Sequence, residues 1–389
     1  MSFDGEDIDR LLGAGVEAGT WHGVVAVVVD RDGVLYEGAA GQADTRTMFR
    51  NASMTKAVAT TGALQLVEQG RLELDAQVES VLPEFAELQL IEGYDGDRPI
   101  LRAPSSKPTI RQLMTHTAGL GYFFTNELLF EYFATDGLPS PLEGRRSSLD
   151  APLVNDPGTV WEYGVNTDWL GLAIERITGQ SLGEYLAEHV YGPLGMSDST
   201  FAPTAEQRSR LLPLMARTPD GGLAPTDIEL PADAEWDAAG HGSYGTAGDY
   251  ARFVRAWLRD GELDGQRILA ADTVALAFSD QIEGIALPEL MRSCMPELSN
   301  DVPTLPVPQG WGLGFHLVKV DLPGMRSAGS GGWSGLFNTY YWIDRAAGIG
   351  GVIMTQVLPF FDARIVEAVF GFEIAAYAQV GAAVPVPAA

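Results

Sequence analysis

The segment FRNASMTKAVATT, residues 49–61, places Ser53 three positions before Lys56 at the start of a helical pattern. Residues three apart in a helix share a face one turn apart, so the Lys56 amine can reach the Ser53 hydroxyl. The first helical turn also carries backbone N–H groups with no partner in the helix. Four residues therefore offer a nucleophile, a proton acceptor and an oxyanion donor, the parts needed for acyl transfer through a covalent acyl-serine. On spacing alone a second reading stays open, in which Ser53 helps to cap the helix and Lys56 lies on a solvated face. For Lys56 to take a proton near neutral pH, its pKa must fall from about 10.4 to about 7–8, which requires roughly 4 kcal/mol of destabilisation of the ammonium. The residues that follow, AVATTGALQLV, are nearly all apolar, and the i+4 neighbour of Lys56 is Thr60 instead of an acid. That setting favours a buried amine.

The elements around this pair can be read from their period. Residues 6–18 are amphipathic at helical spacing, and VVAVVVDRDGVLYEGAAG reads as two strands around an Asp32-Gly33 turn. A long interior helix follows from Ser53 to Gly70, with Val58, Leu64, Leu66 and Val67 on one broad face. Between about 80 and 240, helical segments such as VNTDWLGLAIERITG and SLGEYLAEHVYGPLG are joined by Pro/Gly-rich loops. Helix returns at TAGDYARFVRAWLRDG. GWGLGFHLVKV, LFNTYYWID and GIGGVIMTQ then read as strands before a final helix near 362–378, and the GAAVPVPAA tail reads as disordered. The expected fold is α/β (α+β): an antiparallel sheet flanked by helices, with strands from both ends of the chain, plus a mainly helical lobe and the site between them. The expected boundaries are 1–80 and 240–389 for the sheet domain and 81–239 for the helical one.

A second serine competes. GQSLG, residues 179–183, matches Gly-x-Ser-x-Gly, but that motif needs a buried strand before its serine. DWLGLAIERIT is helical in period, and Ser181-x-x-Glu184 is a capping box, so Ser181 is read as structural.

Bulk properties exclude several classes. The chain has 389 residues, 46% of them hydrophobic, enough for a large buried core. A net charge of -27 repels phosphate backbones and anionic lipid, so neither nucleic acid nor membrane is an expected partner. The acidic start MSFDGEDIDR does not read as a signal peptide, and a cytoplasmic protein is expected. A single cysteine, Cys294, allows no internal disulfide, and no His/Cys spacing suggests a metal.

SMTK, MTHTAGL, PGTVWEYG, YGPLGMSDSTF, GTAGDYARF, ILA, GWGLGF and GGWSG stand in the order and spacing of the serine β-lactamase and penicillin-binding-protein superfamily. Over roughly residues 10–375 the chain most resembles the carboxylesterases related to class C β-lactamases, the family VIII esterases. The resemblance implies Ser53, Lys56 and Tyr163 as the catalytic set, with the Tyr163 phenol beside Lys56 bonding Ser53 and relaying its proton to the leaving group. It implies an oxyanion hole from the N–H groups of Ser53 and Leu336. Trp333-Ser334-Gly335 occupies the third motif, where β-lactamases carry a cation, and an apolar indole there favours a neutral substrate. The β-lactamase Tyr-x-Asn pattern is displaced: Val165 stands two after Tyr163 and Asn166 one further. Asn166 is counted among the substrate-binding candidates, with a helix cap as its plainer role, and His241 as a further pocket residue. His116 is read as a structural hydrogen-bonding residue and Trp311 as core or pocket wall.

The implied function is a cofactor-free serine carboxylesterase acting on short to medium acyl esters, a small-molecule substrate. The alternatives are an acyltransferase, a D-stereospecific peptidase or amidase, a weak β-lactamase, or a non-catalytic scaffold on the same fold.

Overall fold

The strand Gly23–Asp30 (β1) is GVVAVVVD, buried at every position but the last. Such a run has no polar face to show to water, so it needs cover on both sides. The computed structural model, which describes residues 3–226 and 228–380, places it inside a seven-stranded sheet. With β2 (Val34–Gly41), β3 (Gln309–Trp311), β4 (His316–Val318), β5 (Gly331–Gly335), β6 (Thr339–Asp344) and β7 (Ile349–Met354), the order is β3-β4-β5-β6-β7-β1-β2. Every neighbouring pair is antiparallel. The strands thus come from both ends of the chain, and β1 is sealed in register against β7, Val25 opposite Met354 and Asp30 opposite Ile349.

Helices cover both faces. Val25, Val27 and Val29 join one core with the helices α2 (Thr55–Glu68) and α4 (Ala247–Leu258). Val24, Ala26 and Val28 join the other with α1 (Glu6–Glu17) and α5 (Ala363–Val380). Gly351 of β7 makes room for its cross-strand partner Trp342 of β6, because a Cβ there would lie 2.0 Å from that ring. The helix α3 (Asn166–Thr178) packs on the far side of α2. Residues 55–66 of α2 are accordingly buried all round, with no solvated face. Burial of Leu64 and Leu66 alone is worth about 1.5–3 kcal/mol each.

Three readings need correction or completion. GWGLGFHLVKV is two strands, β3 and β4, because the backbone turns at Gly314 (φ 84°) against Thr60 of α2. The stretch between α2 and α4 contains a hairpin, Leu90–Asp95 with Arg98–Arg102, besides its helices. The GAAVPVPAA tail lies outside the described residues.

Candidate active site

The chain reaches Ser53 through a turn held from several sides. Phe49–Arg50 pairs with Tyr244–Gly245, and Asn51 donates from Nδ2 to Ser243 Oγ at 3.0 Å. Ser243 in turn bonds Thr55 Oγ1 at 2.8 Å, and Thr339 Oγ1 of β6 donates to the Asn51 carbonyl at 3.3 Å. Ala52 is thereby fixed at φ 46°, a left-handed conformation that costs a residue with a Cβ about 1–2 kcal/mol. The following 3-10 turn, Ala52–Met54, presents the Ser53 side chain at the mouth of α2.

At the second position of α2, one turn beyond Ser53, Lys56 is 3% exposed. Its Nζ lies 3.2 Å from Ser53 Oγ, 2.9 Å from Tyr122 OH and 2.8 Å from the Gly240 carbonyl. The solvated-face alternative is thus excluded by burial. Tyr122 is the residue that sequence reading missed, standing two positions beyond the MTHTAGL string. Its ring stacks on Phe124 with centroids 5.0 Å apart, and burial holds its phenol well above the ordinary tyrosine range. It stays a neutral hydroxyl that accepts from Lys56.

Tyr163 lies beside Tyr122, ring centroids 5.2 Å apart, with Lys56 Nζ 4.8 Å from its own centroid. The expected Tyr163–Ser53 hydrogen bond is not formed. The Tyr163 hydroxyl instead accepts from the Trp333 indole N–H at 3.0 Å. The view of Trp333 as purely apolar is corrected by the same contact: where a β-lactamase carries a cation, this site has a neutral N–H donor aimed at a phenol. The indole is set edge-on against Trp311, centroids 4.8 Å apart, and Trp311 donates to the Met114 carbonyl at 3.2 Å. Trp333→Phe removes that donor while keeping an aromatic wall. The expected result is a fall in kcat/KM of about 3–10-fold, the worth of one hydrogen bond of about 0.5–1.5 kcal/mol. A double-mutant cycle with Tyr163→Phe checks it, the double variant being no worse than the single ones if the pair acts together.

The end of β5 packs against the same turn. A Cβ on Gly335 would lie 2.4 Å from the Asn51 carbonyl and 3.2 Å from Ala52 Cβ, so only glycine allows this approach. The next residue, Leu336, faces the cavity, and neither its N–H nor that of Ser53 has a backbone partner among the described residues.

Ser53, Tyr122, Tyr163 and Leu336 line a cavity of about 460 Å³ whose walls are mostly apolar, among them Phe123, Leu142, Leu287, Met291 and Leu305. Trp333, Ser334, Gly335 and His241 also line it. Burial and the nearby Lys56 charge push the His241 imidazole down to about 3, so it meets a ligand as a neutral ring. Asn166 is the correction in this set: it is completely buried and absent from the cavity wall. Its Nδ2 lies 3.1 Å from both His116 Nδ1 and the Leu120 carbonyl, which ties α3 to the loop that carries Tyr122. It is not a cap either, being the first residue inside α3 with Val165 at the cap position. His116 is buried at φ 56° as that bonding partner. Ser181 is exposed and closes its capping box with Glu184, N–H to Oε2 at 3.0 Å and back at 3.2 Å.

The geometry has counterparts in known proteins. The Beta-lactamase family model matches residues 8–376. Monacolin J acid methylbutanoyltransferase of Aspergillus terreus is 36% identical over 348 residues, covering 86% of this chain and 82% of that protein. Lovastatin esterase of Penicillium rubens is 30% identical, covering 90% of this chain and 93% of its own. Among solved structures, unliganded Simvastatin Synthase (LovD) from Aspergillus terreus superposes with a TM-score of 0.84 at 30% identity, covering 96% of this chain and 98% of that one.

Proposed function

This chain belongs to the β-lactamase family, and from that premise we propose that it is an acyl-serine enzyme whose preferred reaction is acyl transfer to an alcohol. Ser53 Oγ attacks the acyl carbonyl of a donor while its proton passes to Lys56, beside Tyr122 and Tyr163. The N–H groups of Ser53 and Leu336 hold the oxyanion. The leaving group takes the proton and departs, and an acceptor hydroxyl then repeats the steps in reverse on the acyl-Ser53.

The observation that carries transfer over hydrolysis is the 36% identity, over most of both chains, to a protein named as a methylbutanoyltransferase. An apolar cavity of about 460 Å³ supports it, because it has room for a bulky acceptor as well as a short acyl chain and is poor in polar groups that would order water. Hydrolysis is the second reading, favoured by the similarity to a protein named as an esterase, and it differs only in which nucleophile meets the acyl-enzyme. The displaced asparagine and the missing cation speak against strong β-lactam hydrolysis.

Partitioning separates the two readings. With a p-nitrophenyl ester of a short acyl chain as donor, rising concentrations of an added alcohol are expected to divert product from free acid to the new ester. Free acid as the sole product at every alcohol concentration would return the reading to an esterase.

A further inference from the structure

Asp168, the third residue of α3, is completely buried and takes no part in the chemistry described above. Its Oδ1 accepts the Gly240 N–H at 2.7 Å, and its Oδ2 is buried with no hydrogen-bond partner among the described residues. It does not line the cavity, so a substrate bound there does not complete it. A desolvated carboxylate with a bare oxygen costs several kcal/mol unless a cation lies near it. The cation is Lys56, which donates to the carbonyl of the same Gly240 at 2.8 Å. Glycine is required between the two, since a Cβ at 240 would lie 2.4 Å from Asp168 Oδ2.

We propose that Asp168 is the buried counter-charge of the Lys56 ammonium in the resting enzyme, a positioning residue that acts across Gly240 and governs how readily Lys56 gives up its proton. The other titratable groups around the amine are Tyr122 and Tyr163, which lie together against it, and His116 and His241, which feel its charge. Burial and that charge keep both imidazoles neutral, and burial keeps the Tyr122 phenol protonated. Asp168 is the carboxylate of the group. Burial raises it and Lys56 pulls it back, leaving it at about 6 and therefore ionised at neutral and alkaline pH. The N-terminal turn of α3 favours the same charge. Because a nearby anion stabilises the ammonium, the form of the site able to accept the Ser53 proton accumulates only as pH rises.

The inference rests on the Ser53–Lys56 chemistry of the proposed function and not on which acceptor takes the acyl group. Its rival is a purely structural Asp168 that ties α3 to the turn at 240. Asp168→Asn separates them, because the amide oxygen still accepts from Gly240 while the charge is gone. The chain has three lysines, so NMR of labelled lysine in a K107R/K319R protein reads Lys56 alone. We expect an ammonium at Lys56 near pH 7 in that parent. In Asp168→Asn we expect a midpoint lower by about one pH unit or more, and a parallel shift in the pH dependence of Ser53 labelling by a fluorophosphonate. A folded Asp168→Asn with neither shift would overturn the proposal. So would a neutral Lys56 amine near pH 7 in the parent, a result that needs no Asp168 variant to fold. A Lys56 shift without any Ser53 labelling would support the counter-charge and count against the nucleophile instead.

Discussion

Ser53→Ala is expected to lower kcat/KM for acyl donors by about a thousandfold or more and to abolish the burst of released alcohol, with the fold unchanged. The size follows from the role: without the Oγ no acyl-enzyme forms, and what survives is binding and oxyanion stabilisation acting on a direct attack by water or acceptor. The innocuous fold follows from the surroundings. The turn is held through Asn51, Thr55 and Ser243, none of which bonds the Ser53 hydroxyl, and its loss removes one acceptor of the Lys56 ammonium at 3.2 Å. Stopped-flow release of p-nitrophenol together with a thermal melt measures both halves of this expectation.

Lys56→Met is expected to cost about 10²–10⁴ in the rate of Ser53 acylation, the usual worth of a positioned proton acceptor. Unlike Ser53→Ala, it also changes stability in a pH-dependent way. Methionine fills the apolar volume but leaves Tyr122 and the Gly240 carbonyl without their donor and Asp168 without its cation. Asp168 already sits above its ordinary value, at about 6, with Lys56 holding it down against burial. Removing Lys56 raises it further. A carboxyl that resists ionisation in the native state while ionising freely in the unfolded chain lowers stability as pH rises between its two values. The deficit of Lys56→Met relative to the parent is therefore expected to grow from about pH 5 to about pH 8, reaching about 1–3 kcal/mol. Thermal melts at the two pH values check this, and a deficit that is constant or shrinks with pH would show that Asp168 does not feel Lys56.

Much of this fold is legible in the sequence because its signals are local. The unbroken valine run of β1, the Asp32-Gly33 turn and the apolar stretch after Lys56 each dictate burial or reversal within a dozen residues. The same holds for Ser53 and Lys56, which the helix itself brings together, and for Ser181, whose partner Glu184 is three residues away. What was not legible depends on contacts far apart in the chain. Tyr122 is 66 residues from the amine it bonds, in a run of aromatics where any ring could have been core. Gly240 acts through backbone atoms, and a carbonyl leaves no trace in residue type. Asn166 carries the residue type of a cap or a ligand, yet packing turned it inward onto His116. Trp333 was readable as a departure from a cation, but its indole N–H gains meaning only from Tyr163, 170 residues earlier.

The central claim is that Ser53 carries the acyl group and passes it to an alcohol. Its most direct measurement is mass spectrometry of the protein mixed with p-nitrophenyl butanoate, digested and mapped, with and without a chase of acceptor alcohol. The account predicts one butanoyl group on the peptide bearing Ser53 and a faster loss of that group on adding the alcohol, matched by butanoate ester in solution. A protein that turns over the donor with no acyl group on Ser53, or with the group on another residue such as Ser181, would contradict it.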